Sequence, residues 1–369
     1  MRILMAGLLF RIAIAFINSY FGPTLGAEGD ALSFHELASS IANNFFLDGV
    51  IEGEVGWWYA YALGAVYKFT DPSLFLGCLL SCIAWLISGI LLDKMLILLQ
   101  VNAGSRRMAL IVYAFLPSSL LFTSVTLREV YQLLFINLAI YSSLKIFIRN
   151  NYFYWIPLML ACIGMSYLHL GLLAYSIIII GGTLLMMNSK NSRALLLKRL
   201  FIYVPASLAV LYLGLSEFMN VSTYNFDSGL ATAVSDYRMG HNEARAMYAF
   251  QPKLDNFVDL LFFIPIALLQ YLLEPFPWHI STAFDLALFA ENCLRIIIIV
   301  AMLTKISTLQ ANERKLALFL FAMFFTLEIM WALGTVNWGS AARHHIPAIG
   351  LLVISAFYVI SRVQNKHLS

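Results

Sequence analysis

The sequence predicts an all-α polytopic membrane protein, and its composition and apolar runs carry that prediction. Hydrophobic residues make up 61% of the 369 residues and charged residues only 12%. Soluble domains carry roughly 25% charged residues, so about half of the usual polar surface is missing. Apolar runs recur along the whole chain, and about 20 such residues cross ~30 Å of hydrocarbon as a helix. The short alternating segments of a membrane barrel do not occur.

The ionisable and thiol groups fit the same class of protein. The net charge of +3 requires no nucleic acid partner, because Lys and Arg gather in short loops as cytoplasmic loops do. The four cysteines lie in apolar segments, and Cys78 and Cys82, one helical turn apart, are expected to pack in the core. The first apolar segment lacks a cleavage site and is interrupted by Arg11, which predicts an uncleaved span. Arg11 is expected to pair with a carboxylate, and Glu291 with Arg295.

About ten transmembrane helices are predicted, in a single domain over 1–369 with interfacial helices in the outer loops. They are expected at 3–20, 73–97, 108–124, a stretch that ends near 148, two helices within 152–187, 201–216, 286–304, 315–333 and 346–361. The stretch 258–273, interrupted by Pro265, is expected to re-enter or to lie at the interface. If it crossed, the later basic loops would change sides and weaken the excess of Lys and Arg in the inner loops.

This orientation predicts a protein of the bacterial inner membrane with both termini in the cytoplasm. The outer loops are expected at about 21–56, 217–285 and 334–345. The segment around Asp30, the pair Arg128-Glu129 and Arg343 then share one extracytoplasmic face. Because separate loops bring ionisable groups to this face, the sequence predicts an active site there.

Two acidic side chains of the first outer loop are candidates for general-base catalysis. A carboxylate beside low-dielectric surroundings has its pKa raised toward the working pH, which favours such a role for Asp30 and Glu36. The alternative is that they solubilise the loop, or that Asp30 caps the helix that follows. Arg128-Glu129, at the outer start of the fourth span, is either a structural ion pair or part of an anion-binding site.

A basic motif before the last span predicts phosphate binding. The guanidinium of Arg343 forms bidentate bonds with phosphate, His344 adds a donor, and Trp338 precedes them. Adjacent His344 and His345 point to different helix faces and make a poor metal pair. Weaker candidates for substrate binding are His35, His169, Arg238, His241, Arg245 and Trp338. Arg238, His241 and Arg245 have the spacing of one helical face, which forms either a sugar-phosphate clamp or a solvated surface.

Several segments together resemble the amino-terminal half of GT-C fold glycosyltransferases, such as protein mannosyltransferases and lipid A aminoarabinose transferases. They are Leu8-Leu9-Phe10-Arg11, Gly29-Asp30-Ala31-Leu32-Ser33-Phe34-His35-Glu36-Leu37-Ala38, and Phe115-Leu116-Pro117-Ser118-Ser119 before Arg128-Glu129. The likeness covers roughly residues 1–190 in order and spacing. It implies that Asp30 is the essential acid of the first outer loop and Glu129 the second acidic site. Arg343 would hold the carrier phosphate. The family's usual Asp-Glu pair is Asp30-Ala31 here, so Glu36 or Glu129 would share the role.

The sequence therefore predicts a glycosyltransferase that uses a polyprenyl-phosphate-linked sugar within the membrane. No glycine-rich phosphate loop is present, which favours a lipid-borne substrate over a soluble nucleotide sugar. Acidic residues could hold a divalent metal ion against phosphate, although no spacing requires one. Two alternatives remain open. One is a polysaccharide polymerase or ligase that uses diphosphate-linked oligosaccharide, and the other is a lipid-linked oligosaccharide flippase.

Overall fold

The computed structural model describes residues 1–43, 58–187, 230–239 and 245–368. In this part of the chain the regular structure is helical, apart from one isolated bridge between Met247 and Asn337. The prediction of an all-α protein is thus confirmed. The expected span at 201–216 and residues 217–229 and 240–244 of the expected outer loop 217–285 lie outside the described residues.

Six helical segments are long and apolar enough to cross a membrane. Five of them are single helices: α1 (Arg2–Tyr20), α4 (Leu74–Leu98), α7 (Glu129–Arg149), α12 (Ala283–Ile306) and α13 (Ala311–Gly334). The sixth is the segment Trp338–Asn365, which comprises α14 (Trp338–His344), a 3-10 turn (Ile346–Ala348) and most of α15 (Ile349–Leu368). The chain is therefore a multi-pass α-helical membrane protein.

Shorter helices complete the described structure. They are α2 (Asp30–Asn43), α3 (Trp58–Thr70), α5 (Ala103–Phe115), α6 (Pro117–Phe122), α8 (Trp155–Leu168), α9 (Leu170–Met186), α10 (Leu230–Met239) and α11 (Phe257–Leu273), with 3-10 turns at Tyr152–Tyr154 and Pro277–His279. The expected break within 152–187 is confirmed at His169, whose extended backbone separates α8 from α9. The chain folds back there, and a hydrogen bond joins the two helices: the Ser176 hydroxyl of α9 donates to the Cys162 carbonyl of α8 at 3.2 Å.

The expected span 108–124 differs from the structure. Its helix stops at Phe115, Leu116 adopts an extended backbone (ψ 129°), and the short helix α6 begins at Pro117. Proline has no amide hydrogen and disfavours a helical residue before it, so the break follows from Pro117. The segment 258–273 lies in a single helix of 17 residues, Phe257–Leu273, which contains Pro265.

Arg11 fixes this broken segment to the first helix. It is fully buried and donates from Nε to the Thr123 hydroxyl at 2.7 Å and from Nη2 to the Ser119 hydroxyl at 2.8 Å. It also donates to the Ala114 carbonyl at 2.9 Å and lies 3.5 Å from the centre of the Trp85 ring. The expected carboxylate partner was wrong, because hydroxyl and carbonyl oxygens and an aromatic face satisfy the guanidinium instead.

The helices have two distinct ends. At one, here called the Arg106 end, Arg106 pairs with Asp93 at 2.7 Å and Arg362 donates to the Leu99 carbonyl at 2.9 Å. At the other, called the Asp30 end, the first residues of α2 and α7 approach Arg343 in the last turn of α14. The candidate residues from separate loops meet at this second end.

Candidate active site

Three predicted residues form one ion cluster at the Asp30 end. The Arg343 Nη1 atom lies 2.6 Å from Asp30 Oδ2, and its Nε atom lies 3.2 Å from Glu129 Oε1. The Asp30 side chain is 52% exposed, whereas Arg343 is 17% and Glu129 only 2% exposed. The structure thus places one guanidinium between a carboxylate that solvent reaches and one that it does not.

The local sequence explains how Asp30 and its neighbours are held. Gly29, at a φ of 89°, turns the chain so that Asp30 is the first residue of α2. A side chain at that φ would be strained, so glycine suits the turn. The Thr126 hydroxyl donates to the Ala31 carbonyl and ties α2 to the segment before Glu129. The Asn337 side chain accepts from the Ser340 amide at 2.7 Å and begins α14, which presents Arg343.

Arg128, His169 and His344 form a second predicted group beside this cluster. The His344 ring stacks on Trp331 at 4.6 Å, and its Nδ1 atom lies 2.8 Å from the Thr335 hydroxyl. The His169 ring packs against the same indole at 4.5 Å. Arg128 lies within electrostatic range of both imidazoles, and its guanidinium is 5.8 Å from the centre of the Phe34 ring. Cationic and imidazole groups therefore adjoin the ion cluster, as an anion-binding site requires.

Two candidates on α2 lie elsewhere. Glu36 is exposed, and its position on the helix is turned away from that of Asp30. His35 contacts α3, with its Nδ1 atom 2.9 Å from the Tyr67 hydroxyl and the two rings 5.5 Å apart. Burial lowers the pKa of His35, against a smaller rise from the Glu36 carboxylate. The structure does not bring His35 or Glu36 to Arg343.

The expected shared helical face is wrong for Arg238 and Arg245, because Arg245 lies in a turn and the two guanidinium groups have different partners. Arg238 is buried and donates to the carbonyls of Leu333 and Thr335 at 3.2 and 2.8 Å, which satisfies the carboxyl end of α13. Arg245 pairs with Asp285 at 2.8 Å. His241 lies outside the described residues.

Trp338 belongs to a neighbouring cluster that the sequence analysis did not single out. Its indole Nε1 atom donates to Asp285 Oδ1 at 3.1 Å, and its ring lies parallel to His279 at 5.3 Å. The segment that contains His279 also contains Glu274, which is 3% exposed. The sequence signal was the run Glu274-Pro275-Phe276-Pro277-Trp278-His279, in which charged and aromatic groups close an apolar helix.

A second group of buried charges lies behind α14. Glu291 and Arg295 pair at 2.9 Å, as expected, and the Ser118 amide donates to Glu291 at 2.9 Å. His345 lies 2.8 Å from Glu328. Glu328 was missed, although a carboxylate in the middle of the apolar run 315–333 is itself a sign of function or of a partner.

Within residues 1–43, 58–187, 230–239 and 245–368, no three His, Cys, Asp or Glu side chains come together as a metal site. No protein-family model matches the chain. No similar curated protein was found, and no solved structure matches it. The geometry of the site therefore carries the functional argument alone.

Proposed function

We propose that the protein is a membrane glycosyltransferase of the GT-C type. It moves a sugar from a polyprenyl-phosphate carrier to a glycan or lipid acceptor of the cell envelope. The reaction takes place at the Asp30 end, on the extracytoplasmic face of a bacterial inner membrane. The observation that carries the proposal is the contact of Arg343 with both Asp30 and Glu129, residues that come from three distant parts of the sequence.

The environment of this cluster supports a lipid-borne substrate. Charged groups are costly at the edge of hydrocarbon and are retained there mainly for function or pairing. The six long apolar segments provide the surface along which a polyprenyl chain can lie. Arg128, His169 and His344 add hydrogen-bond donors and positive charge next to Arg343, which suits a phosphate at the end of that chain.

Arg343 has the role of phosphate ligand in the proposed reaction. When the carrier phosphate binds, its oxygens replace Asp30 at the guanidinium, and Glu129 holds Arg343 from the buried side. Asp30, which is 52% exposed, then becomes free to accept a proton. Binding of the donor thus releases the base that the transfer step needs.

The transfer step forms one bond and breaks one. Asp30 takes the proton of an acceptor hydroxyl while that oxygen attacks the anomeric carbon of the sugar. The bond between this carbon and the phosphate oxygen breaks, and the electron pair leaves with the polyprenyl phosphate. Arg343 and His344 stabilise the charge that develops on the departing phosphate. Asp30 then returns its proton to solvent.

The location of the cluster argues for transfer over transport. Transporters bind their substrate near the middle of the bilayer, between repeated halves. Here Asp30 and Glu129 are the first residues of their helices and Arg343 lies in the last turn of α14, all at one end of the long helices. A polymerase or ligase would carry out similar chemistry at such a site. It differs from the proposed enzyme in its donor, which is a diphosphate-linked oligosaccharide and not a monophosphate-linked sugar.

The experiment is a transfer assay with the purified protein in liposomes. Radiolabelled polyprenyl-phosphate sugars are supplied with envelope lipid extract, and diphosphate-linked oligosaccharides are supplied in a parallel set. We expect label to move from a monophosphate donor to a new lipid or glycan. Chain growth from the diphosphate donors alone would instead make the protein a polymerase or ligase. Movement of intact lipid-linked donor across the bilayer without transfer would make it a flippase.

A further inference from the structure

Two buried polar atoms face each other at the Asp30 end without hydrogen-bond partners. Glu274 Oε2 and His279 Nδ1 are 3.6 Å apart, and neither atom makes a hydrogen bond within the part of the chain that the structure describes. The Glu274 side chain is 3% exposed and the His279 side chain 23%. Buried polar atoms in this condition are uncommon and costly, so the pair requires an explanation.

The charged groups around Glu274 are matched to other partners. From α12, Glu291 pairs with Arg295 and accepts from the Ser118 amide. After α14, His345 contacts Glu328. Gln270 of α11 and the phenol of Tyr248 also lie close to the carboxyl group of Glu274. Glu274 thus faces a set of groups that are already engaged, and His279 is the basic side chain nearest to its carboxyl group.

Metal binding is not indicated at this pair, since no cluster of three metal-ligating side chains forms among the described residues. A proton fits between a carboxylate oxygen and an imidazole nitrogen, because either atom can carry it as donor while the other accepts.

We infer that Glu274 and His279 share one proton and form a proton-binding site at the Asp30 end. A single proton between Oε2 and Nδ1 gives each atom the hydrogen-bond partner that it lacks, after a small decrease in their 3.6 Å separation. His279, the more exposed member, connects the buried carboxyl group to solvent. The inference is independent of the proposed sugar transfer.

The electrostatics support this assignment. Burial raises the pKa of Glu274 from 4.5 to about 7, against a smaller lowering by Gln270. Between these values the folded protein holds more protons than the unfolded chain at this group. The protonated Glu274 carboxyl group therefore makes its full contribution to the free energy of unfolding below pH 4.5, and this contribution is lost as the pH rises through about 7.

The proton site is linked to the ion cluster through one helix. The His279 ring lies parallel to Trp338, at an interplanar angle of 4°. Trp338 is the first residue of α14, and this helix also presents Arg343 to Asp30 and Glu129. Loss of the proton leaves a buried carboxylate beside Trp338, at the start of the helix that holds Arg343.

Infrared difference spectroscopy of the protein in membranes tests the site directly. We expect a carboxylic acid C=O band that disappears with a midpoint near pH 7 and is missing from the Glu274→Gln variant. The exposed Glu28→Gln variant should keep the band and serves as the control. The aromatic replacement His279→Phe keeps a ring on Trp338 but removes Nδ1, and it should displace the midpoint.

Two results would overturn the inference. One is that no carboxylic acid band of the wild-type protein disappears between about pH 6 and 8, the range centred on the raised pKa of the Glu274 carboxyl group. The other is a midpoint that His279→Phe leaves unchanged, which would show that Glu274 binds the proton alone.

A second measurement, chemical labelling of the wild-type protein, requires no variants. A hydrophobic carbodiimide reacts with protonated carboxyl groups, so its adduct on wild-type Glu274 should increase as the pH falls through 7, and a constant yield contradicts the site.

Discussion

Arg343 is the residue on which the ion cluster depends, because it serves two carboxylates with different surroundings. Asp30 is half exposed and can be solvated without its partner, whereas Glu129 is 2% exposed and cannot. Glu129 Oε2 also accepts no hydrogen bond from the described residues. The Arg343 guanidinium therefore stabilises the fold mainly by pairing with Glu129. In the proposed reaction it acts mainly on Asp30 and the phosphate.

Removal of Arg343 should destabilise the protein through this buried carboxylate. We expect Arg343→Met to lower the free energy of unfolding by about 3 kcal/mol, the lower end of the cost of leaving one partner of a buried ion pair alone. Titration with a denaturing detergent, followed by circular dichroism, measures the change. The double variant Arg343→Met with Glu129→Gln should recover most of the loss, because no buried charge remains.

The same cycle provides its own control. Asp30→Asn with Arg343 intact should change the free energy of unfolding by less than about 1 kcal/mol, because an exposed ion pair contributes little. An equal loss of stability in Arg343→Met and in the double variant would show that Glu129 does not depend on Arg343.

Helix packing brings the three segments of the cluster together, and small residues set how close the helices lie. A Cβ atom on Gly350 of α15 would overlap Asn137 Oδ1 of α7, and one on Gly7 of α1 would lie 2.7 Å from the Trp85 ring. Asn137 is itself held by its amide, which donates to the Ser88 hydroxyl at 2.8 Å. Asn137 in α7 therefore contacts α15 on one side and Ser88 of α4 on the other.

Gly350→Ala should separate α7 from α15. Overpacking costs about 1–3 kcal/mol, and here the added methyl group meets a buried, hydrogen-bonded amide. The thermal midpoint in detergent should fall accordingly. The matched control is Gly181→Ala in α9, where an added Cβ meets nothing within 4 Å. That control should be neutral or slightly stabilising, because alanine favours a helix more than glycine does. Equal midpoints for the two variants would contradict the packing.

The sequence predicted the elements of this site better than their partners. Asp30, Glu129 and Arg343 were identified because each is an ionisable group at the end of an apolar run. The break of α5 before Pro117 follows from a local rule, yet the apolar run 108–124 concealed it. The neutral partners of Arg11 and the pair Glu274–His279 depend on how distant helices meet. Periodicity and hydropathy describe single helices and contain no information about such contacts.

At the scale of the whole molecule, charged side chains gather at the two ends of the helices, the Arg106 end and the Asp30 end. Arg106 and Arg362 lie at the end opposite to the ion cluster, where they pair with Asp93 and Glu313, and Arg314 and Lys315 follow Glu313 directly in the sequence. An excess of Lys and Arg marks cytoplasmic loops, which supports an extracytoplasmic position for Asp30.

Cysteine accessibility in whole cells tests this orientation. In a background without the native cysteines, Glu28→Cys lies in the exposed turn before Asp30, and Asn312→Cys lies at the exposed start of α13. A membrane-impermeant maleimide should label position 28 in intact cells and position 312 only after permeabilisation. The reverse pattern would place Asp30 in the cytoplasm and remove the basis for an extracytoplasmic reaction.

The most direct test of the central claim is the rate of label transfer in liposomes by Asp30→Asn beside Asp71→Asn. Both variants remove one negative charge, and Asp71 is exposed in the turn between α3 and α4, where its φ of 67° suits asparagine. We expect Asp30→Asn to lose about 10²–10⁴-fold in rate, the usual contribution of a general base, and Asp71→Asn to transfer at the wild-type rate. Full transfer by Asp30→Asn would contradict the catalytic role of the ion cluster.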